Sequence, residues 1–352
     1  MTTAVALVPA DLAAAHAARL AAGHTGYLRD HAAALGTSEL ALLLATRADA
    51  LRWTDTPDAA ALFGALKAAG PLKTMTRNDS VVLERAGSIE QLHVDAMHLQ
   101  VVGADIDLRG FPRAWGAAVA LEETTPRGVR RSLQLFDHAG TSVFKAYLDD
   151  ANDDAAWRAI RAAIGSPAPL DALPRVATPT PAATEPPAGF DVDGFRAQWD
   201  ALGDTHDFHR LLRGAGIGRR AAMMVAGPER AERLVIDAAE HVLQAARAAE
   251  FPVMLFVGNA GMIQIHHGVP RRFSDAAGWF NILDPGMNLH LRRERIESAW
   301  LVRKPTRTGV VSSLELYDDT GRDVLLVHAE RTETTPGDAP AWRGILSAVP
   351  RA

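Results

Sequence analysis

The sequence predicts an α+β protein built twice, each copy a set of helices followed by a large, mainly antiparallel sheet. Three observations predict it. Segments recur in collinear order: SLQLFDHAG at 132–140 and SLELYDDTG at 313–321 agree at five of nine positions, and WRAIRAAI at 157–164 parallels WRGILSAV at 342–349. Asp107-Leu108-Arg109 with Trp115 parallels His290-Leu291-Arg292 with Trp300, and GHTGYLRDHAAALG at 23–36 parallels GDTHDFHRLLRGAG at 203–216. The offset stays between 180 and 185 residues, the mark of a duplication. Second, helical patterns precede strand patterns in each copy, which is the grammar of α+β and not of alternating βαβ units. Third, residues 165–190 hold seven prolines, which favour extended backbone and read as a linker. The expected organisation is an N-terminal repeat at 1–164, the linker at 165–190 and a C-terminal repeat at 191–352.

In chain order, Ala/Leu/Arg-rich patterns predict helices at 10–22, 26–35, 38–45 and 57–69. Val, Leu and Ile with turn residues between them predict strands at 80–84, 91–94, 99–102, 106–108, 117–122, 130–136 and 143–147. The second copy repeats this with helices at 191–202, 205–214, 218–226 and 229–249, then strands at 253–257, 262–267, 278–282, 287–291, 296–303, 309–317 and 324–328. Asp137-His138-Ala139-Gly140 and Asp318-Asp319-Thr320-Gly321 suit hairpin loops ending in glycine. A short helix carrying Trp157 or Trp342 closes each copy.

Composition narrows the function. The 352 residues contain no cysteine, which excludes disulfides, iron–sulfur clusters, thiolate-ligated heme, zinc ribbons and Cys nucleophiles together. A net charge of −5 gives no bias towards nucleic acid. The first residues lack a basic targeting region, and no run reaches the ~18 apolar residues that span a bilayer. The expectation is a cytoplasmic protein without membrane insertion. Only four lysines occur, and Lys304 is the one in the second half.

Arg213-Gly214-Ala215-Gly216-Ile217-Gly218-Arg219 imitates a dinucleotide fingerprint, but Arg219 stands where the third glycine belongs and a helix precedes it instead of a strand. It reads as a helix C-cap at Gly214 or Gly216. Asp204-Thr205-His206-Asp207-Phe208-His209 carries more chemistry. Asp204 or Thr205 can cap a helix, and two histidines three apart share a face. Their counterparts in the first copy are Gly26 and Arg29, so the scaffold does not demand histidine there.

Asp204-Thr205-His206-Asp207-Phe208 with Leu211-Leu212-Arg213, Thr74-Met75-Thr76-Arg77-Asn78, Asp107-Leu108-Arg109, Phe136-Asp137-His138-Ala139-Gly140, Phe256-Val257-Gly258-Asn259, Arg303-Lys304-Pro305-Thr306, Ser313-Leu314-Glu315-Leu316 and Arg331-Thr332-Glu333 together resemble the hemin-degrading factor family of cytoplasmic heme-binding proteins (HemS/ChuS/PhuS type). The resemblance covers nearly the whole chain. It implies two similar α+β halves with their sheets stacked centrally, and heme b in a cleft between helices and sheet of the C-terminal half. It also implies His206 as proximal iron ligand, Arg109 on the distal side, and Arg219, Lys304 and Arg331 as the polar shell of the propionates and distal pocket. The family often has Tyr where this chain has His328, which adds an imidazole or a polar edge residue near the pocket. His209, present in some members, is an alternative ligand or a bystander, as are His266 and His267.

The residue chemistry agrees: without cysteine, heme iron needs imidazole, thioether or phenolate, and arginine or lysine suits propionates. Two readings share these residues. One is oxidative opening of heme with release of iron, using electrons from an external reductase. The other is a carrier that buffers heme and hands it to a heme oxygenase; a heme ABC importer is a further expected partner. A third reading, a binding protein that kept the fold without heme, would predict loss of His206 or Arg109, and both are present. Because Gly26 stands where the second copy has His206, an optical titration with hemin should saturate at one equivalent per chain; two tight equivalents would refute the use made of the duplication.

Overall fold

A computed structural model describes residues 9–126, 128–149, 154–165, 185–276, 278–330 and 337–352. Most of the linker, and Arg331, lie outside the described residues. The chain divides into two compact units. Unit 1 takes the described residues up to Met75, those from Ala86 to the linker, and Ala260–Met262; unit 2 takes Thr76–Arg85, those from the linker to Asn259, and Ile263–Ala352. Relative to the two sequence halves, two short segments are thus exchanged.

Unit 1 contains helices α1 (Pro9–Ala21), α2 (Leu28–Ala34), α3 (Glu39–Arg47), α4 (Ala59–Ala69) and α5 (Asp154–Ala163). Its strands are β1 (Leu51–Thr54), β2 (Leu72–Arg77), β4 (Gln91–Val94), β5 (Leu99–Val102), β6 (Asp107–Gly110), β7 (Trp115–Thr125), β8 (Gly128–Asp137) and β9 (Ser142–Leu148). They run antiparallel in the orders β1-β7-β8-β9-β2 and β6-β5-β4. Leu62, Phe63 and Leu66 of α4 and Trp157 and Ile160 of α5 close a core over Leu133, Leu135 and Phe144. Gly261 belongs here because its carbonyl accepts from the Trp115 indole at 2.9 Å, and a Cβ at Gly261 would come within 3.0 Å of Trp115 and Val143.

Unit 2 opens with β3 (Val81–Gly87), then α6 (Val192–Asp200), α7 (Asp207–Ala215), α8 (Arg219–Ala226), β10 (Ala231–Leu234) and α9 (Ala238–Ala248). There follow β11 (Val253–Gly258), β12 (Met262–Gly268), β13 (Phe273–Ala276), β14 (Trp279–Asp284), β15 (Met287–Arg292), β16 (Ser298–Thr306), β17 (Gly309–Tyr317), β18 (Asp323–Ala329) and α10 (Pro340–Ser347). The orders are β10-β16-β17-β18-β11-β12 and β3-β15-β14-β13. The first repeats the unit 1 order advanced by nine strands, so the duplication holds at the level of topology. Strand alternation divides the larger run into two faces. Leu301, Leu314, Leu325, Val327 and Leu255 pack under α9 and α10, while Val302 and Tyr317 pack under α6, α7 and α8.

Several expectations need correction. Residues 229–249 are not one helix: Ala231–Leu234 pair with β16, and the helix starts at Ala238. Pairing with a sheet edge outweighs the helix propensity of Ala, Glu and Arg there. β1, β2 and β13 were not expected. In β2 the inward positions include Thr74 and Thr76, both fully buried, so no apolar alternation announces the strand. The Trp115–Trp300 parallel is not kept in register: Trp300 lies opposite Glu315, whose repeat counterpart Gln134 lies opposite Val119. The aspartate turns do repeat. Asp137 accepts the Ala139 and Thr141 N–H groups, and Asp318 those of Thr320 and Arg322. Gly140 and Gly321 close them at φ of 76° and 78°.

His266 faces the same side of the sheet as Leu255 and is buried, with neither ring nitrogen hydrogen-bonded. Burial, reinforced by Arg85 and His267, pushes its pKa from 6.5 to about 3. The unfolded chain takes up this proton below pH 6.5 while the folded chain does so only near 3, so stability is lost as pH falls through that window, by up to about 1.4 kcal/mol per pH unit. Urea unfolding of His266→Leu should show a flatter acid limb than the parent chain; parallel limbs would contradict the assignment.

Candidate functional site

The site is built around the start of α7. Asp204 Oδ1 accepts the His206 backbone N–H at 2.8 Å and lies 2.6 Å from His206 Nδ1. These contacts hold the Asp204 carboxyl below its usual range, the backbone bond contributing most. His206 stands at the N-cap of α7, not inside the helix, and its side chain is 92% exposed. With Nδ1 turned to a carboxylate, Nε2 is the nitrogen left to face outward, the arrangement that orients a metal-ligating imidazole. The helix ends at Gly216 in the left-handed region (φ 67°), so the glycine-rich stretch is indeed a C-cap.

Beneath α7 lies a charged cluster. Glu315 is fully buried on β17 and accepts five hydrogen bonds. Arg219, first residue of α8, binds it through Nε at 2.7 Å and Nη2 at 2.8 Å. Lys304 Nζ on β16 reaches Oε1 at 2.6 Å, Ser313 Oγ the same oxygen at 3.1 Å, and Tyr317 the other at 2.6 Å. Both cations also sit on the Phe208 ring of α7, Lys304 at 4.7 Å and Arg219 at 5.2 Å from its centroid. Burial alone would neutralise Glu315, but Arg219 and Lys304 outweigh it and hold the carboxyl well below its ordinary range. Burial likewise opposes the Arg219 charge, and Glu315 outweighs it. Lys304 is the group that yields: burial lowers it to about 8, because Arg219 already satisfies the carboxylate and repels a second cation. Tyr317 is pushed up by burial and by Glu315.

Beside this cluster the same face of the sheet is half-buried and mostly apolar. Cross-strand register sets Ser313, His328, Met254 and His267 in one row, and Glu315, Leu326, Phe256 and Ile265 in the next. His328 packs edge-on against Phe256 with ring centroids 5.3 Å apart. His209 lies near Arg219 and Lys304 and is held below the usual imidazole range, by removal from solvent first and by Arg219 next. Unit 2 therefore brings together His209, Arg219 and Lys304, with Phe208 placing His206 next to them along the chain and His328 on the same face of the sheet. His266 is excluded, since alternation turns it to the opposite face from His267. Arg331 lies outside the described residues. Arg109 belongs to β6 of unit 1, where its guanidinium binds Asp107 and the carbonyls of Val101 (3.1 Å) and Leu108 (3.0 Å). From sequence, Asp204 was named only as a helix cap and Glu315 only within a motif; the carboxylate two residues before a candidate ligand was the signal available for a ring-orienting Asp204. Among the described residues no group of three or more acidic or histidine side chains forms a metal cluster.

The chain is thus a duplicated antiparallel α+β protein whose second copy carries an exposed, carboxylate-oriented histidine where the first copy has Gly26. The haemin-degrading HemS.ChuX domain matches residues 36–164 and 216–349, and the chain belongs to that family. It is 34% identical to the hemin transport protein HmuS of Yersinia pestis over 92% of both chains. Among solved structures it resembles holo-PhuS, a heme-binding protein from Pseudomonas aeruginosa, with TM-score 0.91 and 37% identity over 98% of this chain and 100% of that one. It also resembles the heme-degrading enzyme ChuS of Escherichia coli O157:H7, with TM-score 0.87 and 28% identity over 97% and 100%.

Glu315→Gln should cost about 3–5 kcal/mol in urea unfolding, because it strands two buried cations. Lys304→Met should cost less, since Arg219 still satisfies the carboxylate. Between pH 8 and 10.5 the folded Lys304 is neutral while the unfolded one binds a proton, so the parent chain should gain stability relative to Lys304→Met as pH rises through that window. An unchanged difference across that range would refute a strained Lys304.

Proposed function

We propose that the chain binds one heme b in the cytoplasm as part of a heme-utilisation system and supports its oxidative degradation with release of iron. The observation that carries the reading is the Asp204–His206 pair, which fixes an imidazole with its Nε2 outward at the N-cap of α7. The residues fit the group. A porphyrin needs apolar area, and the part-exposed Met254, Phe256 and Leu326 supply it; its propionates need cations, and Arg219 and Lys304 exceed Glu315 by one charge. Bound heme would supply the iron at which dioxygen is reduced, with electrons from an external donor. His206 would hold that iron, Asp204 would keep its ring oriented, and His328 and His209 would be the nearest further imidazoles. Family membership supports heme as ligand. The Gly26 counterpart of His206, held at φ 142° where side chains are rarely accommodated, supports a single site.

The carrier reading is favoured by one feature, the 92% exposure of the His206 side chain, which suits hand-over to a heme oxygenase. Heme-loaded protein given a physiological reductant in air, with and without catalase, separates the two. Turnover that survives catalase establishes degradation by the protein, and loss only through free peroxide establishes the carrier.

His206→Ala should shift the Soret band and weaken hemin binding more than His209→Ala does. Asp204→Asn should weaken it about 10–100-fold, as loss of a ligand-orienting carboxylate does. A histidine-ligated spectrum lost in His209→Ala alone would identify the wrong ligand.

A further inference from the structure

Adjacent residues of β16 serve opposite faces of the sheet. Lys304 meets Glu315, whereas Arg303 lies with Leu301 and Ser312 on the side of α10. There β16, β17 and α10 border a cavity of about 550 Å³. Leu301, Val310 and Leu346 give it apolar walls, and Arg303, Arg343 and Arg351 line it with guanidinium groups. Val310 is 48% exposed, so the cavity is open to solvent.

The charges around it do not cancel. Glu232 accepts from Arg303 Nη2 at 3.0 Å and from Arg351 Nε at 2.9 Å. Asp338, buried in the wall, accepts the Ser312 N–H on its two carboxylate oxygens at 3.0 and 2.9 Å. Arg343 donates through Nη1 to the Asp338 backbone carbonyl at 2.5 Å, a neutral acceptor. Among the described residues, three guanidiniums thus face two carboxylates, Glu232 and Asp338. Guanidinium forks match carboxylates in plane, while the leucine and valine walls favour a hydrocarbon over a bare inorganic ion. The volume lies within the roughly 300–1,000 Å³ of small-molecule sites.

We propose that this cavity binds a small amphipathic carboxylate, its hydrocarbon body against Leu301, Val310 and Leu346 and its carboxylate on Arg343 and Arg351. The site is separate from the proposed heme site and stands or falls without it.

Isothermal titration of the full-length chain with decanoate tests the proposal. The expected result is one saturable equivalent, weakened about tenfold or more in Arg343→Ala, the equivalent of about 1.4 kcal/mol. It should be abolished in Ser347→Trp, which fills the cavity. Both variants should melt as the parent does and titrate with hemin unchanged. Decanol binding as tightly as decanoate, no saturable decanoate binding, or binding indifferent to both substitutions would each overturn it.

Discussion

The Glu315 carboxylate sets where the helices of unit 2 meet its sheet. A buried anion must be compensated, and its compensation comes from α8 through Arg219, from β16 through Lys304 and from β17 itself through Ser313 and Tyr317. Because both cations also rest on Phe208, the same charge fixes α7 and hence the two histidines that flank that ring. Hydrophobic contacts of Leu211, Leu212 and Ile217 with the sheet are non-directional and tolerate sliding. The bidentate Arg219–Glu315 pair does not, so it supplies the register that the apolar core lacks.

The two copies show what this constraint adds. In unit 1 the counterpart of Glu315 is Gln134, whose amide donates to Ser132 at 3.1 Å, and Ser132 is the counterpart of Ser313. The scaffold is thus compatible with a neutral pair at that position. Charge was introduced, or kept, in one copy only, together with the histidines of α7. Duplication supplied a second surface on which polar chemistry could change while the first copy kept the neutral pairing.

Much of this organisation was legible in the sequence. The repeat, the antiparallel strands and the aspartate–glycine turns all follow from local rules, and the structure keeps them. Two misses trace to polar residues in positions that the fold buries, and a third to sheet pairing that overrides helix propensity. Thr74 and Thr76 hide β2, Ala231–Leu234 look helical until β16 pairs with them, and SLELYD reads as an ordinary alternating strand although its glutamate is the most deeply compensated charge in unit 2. His206 stands at an N-cap instead of within a helical turn, because the Asp204 carboxylate takes its backbone N–H and the helix starts at Asp207, two residues later than the 205–214 pattern predicts. Arg219 and Lys304 were named as cations facing a ligand; their existing bonds to Glu315 depend on tertiary burial, which spacing along the chain does not encode.

The exchange of β3 bears on synthesis. Val81 and Leu83 belong to the core of unit 2, and β3 pairs with β15 from Val81↔Leu291 to Arg85↔Met287. A ribosome therefore delivers this strand about two hundred residues before its partner, at roughly 5–20 residues per second, so its edge waits on the order of ten seconds or more for β15. During that interval an unpaired apolar strand is open to pairing with other nascent chains. The polar residues that follow its core positions, Glu84 and Arg85, discourage such association. A chain cut at the linker would make this vulnerability permanent, since β15 would then have no β3 to pair with.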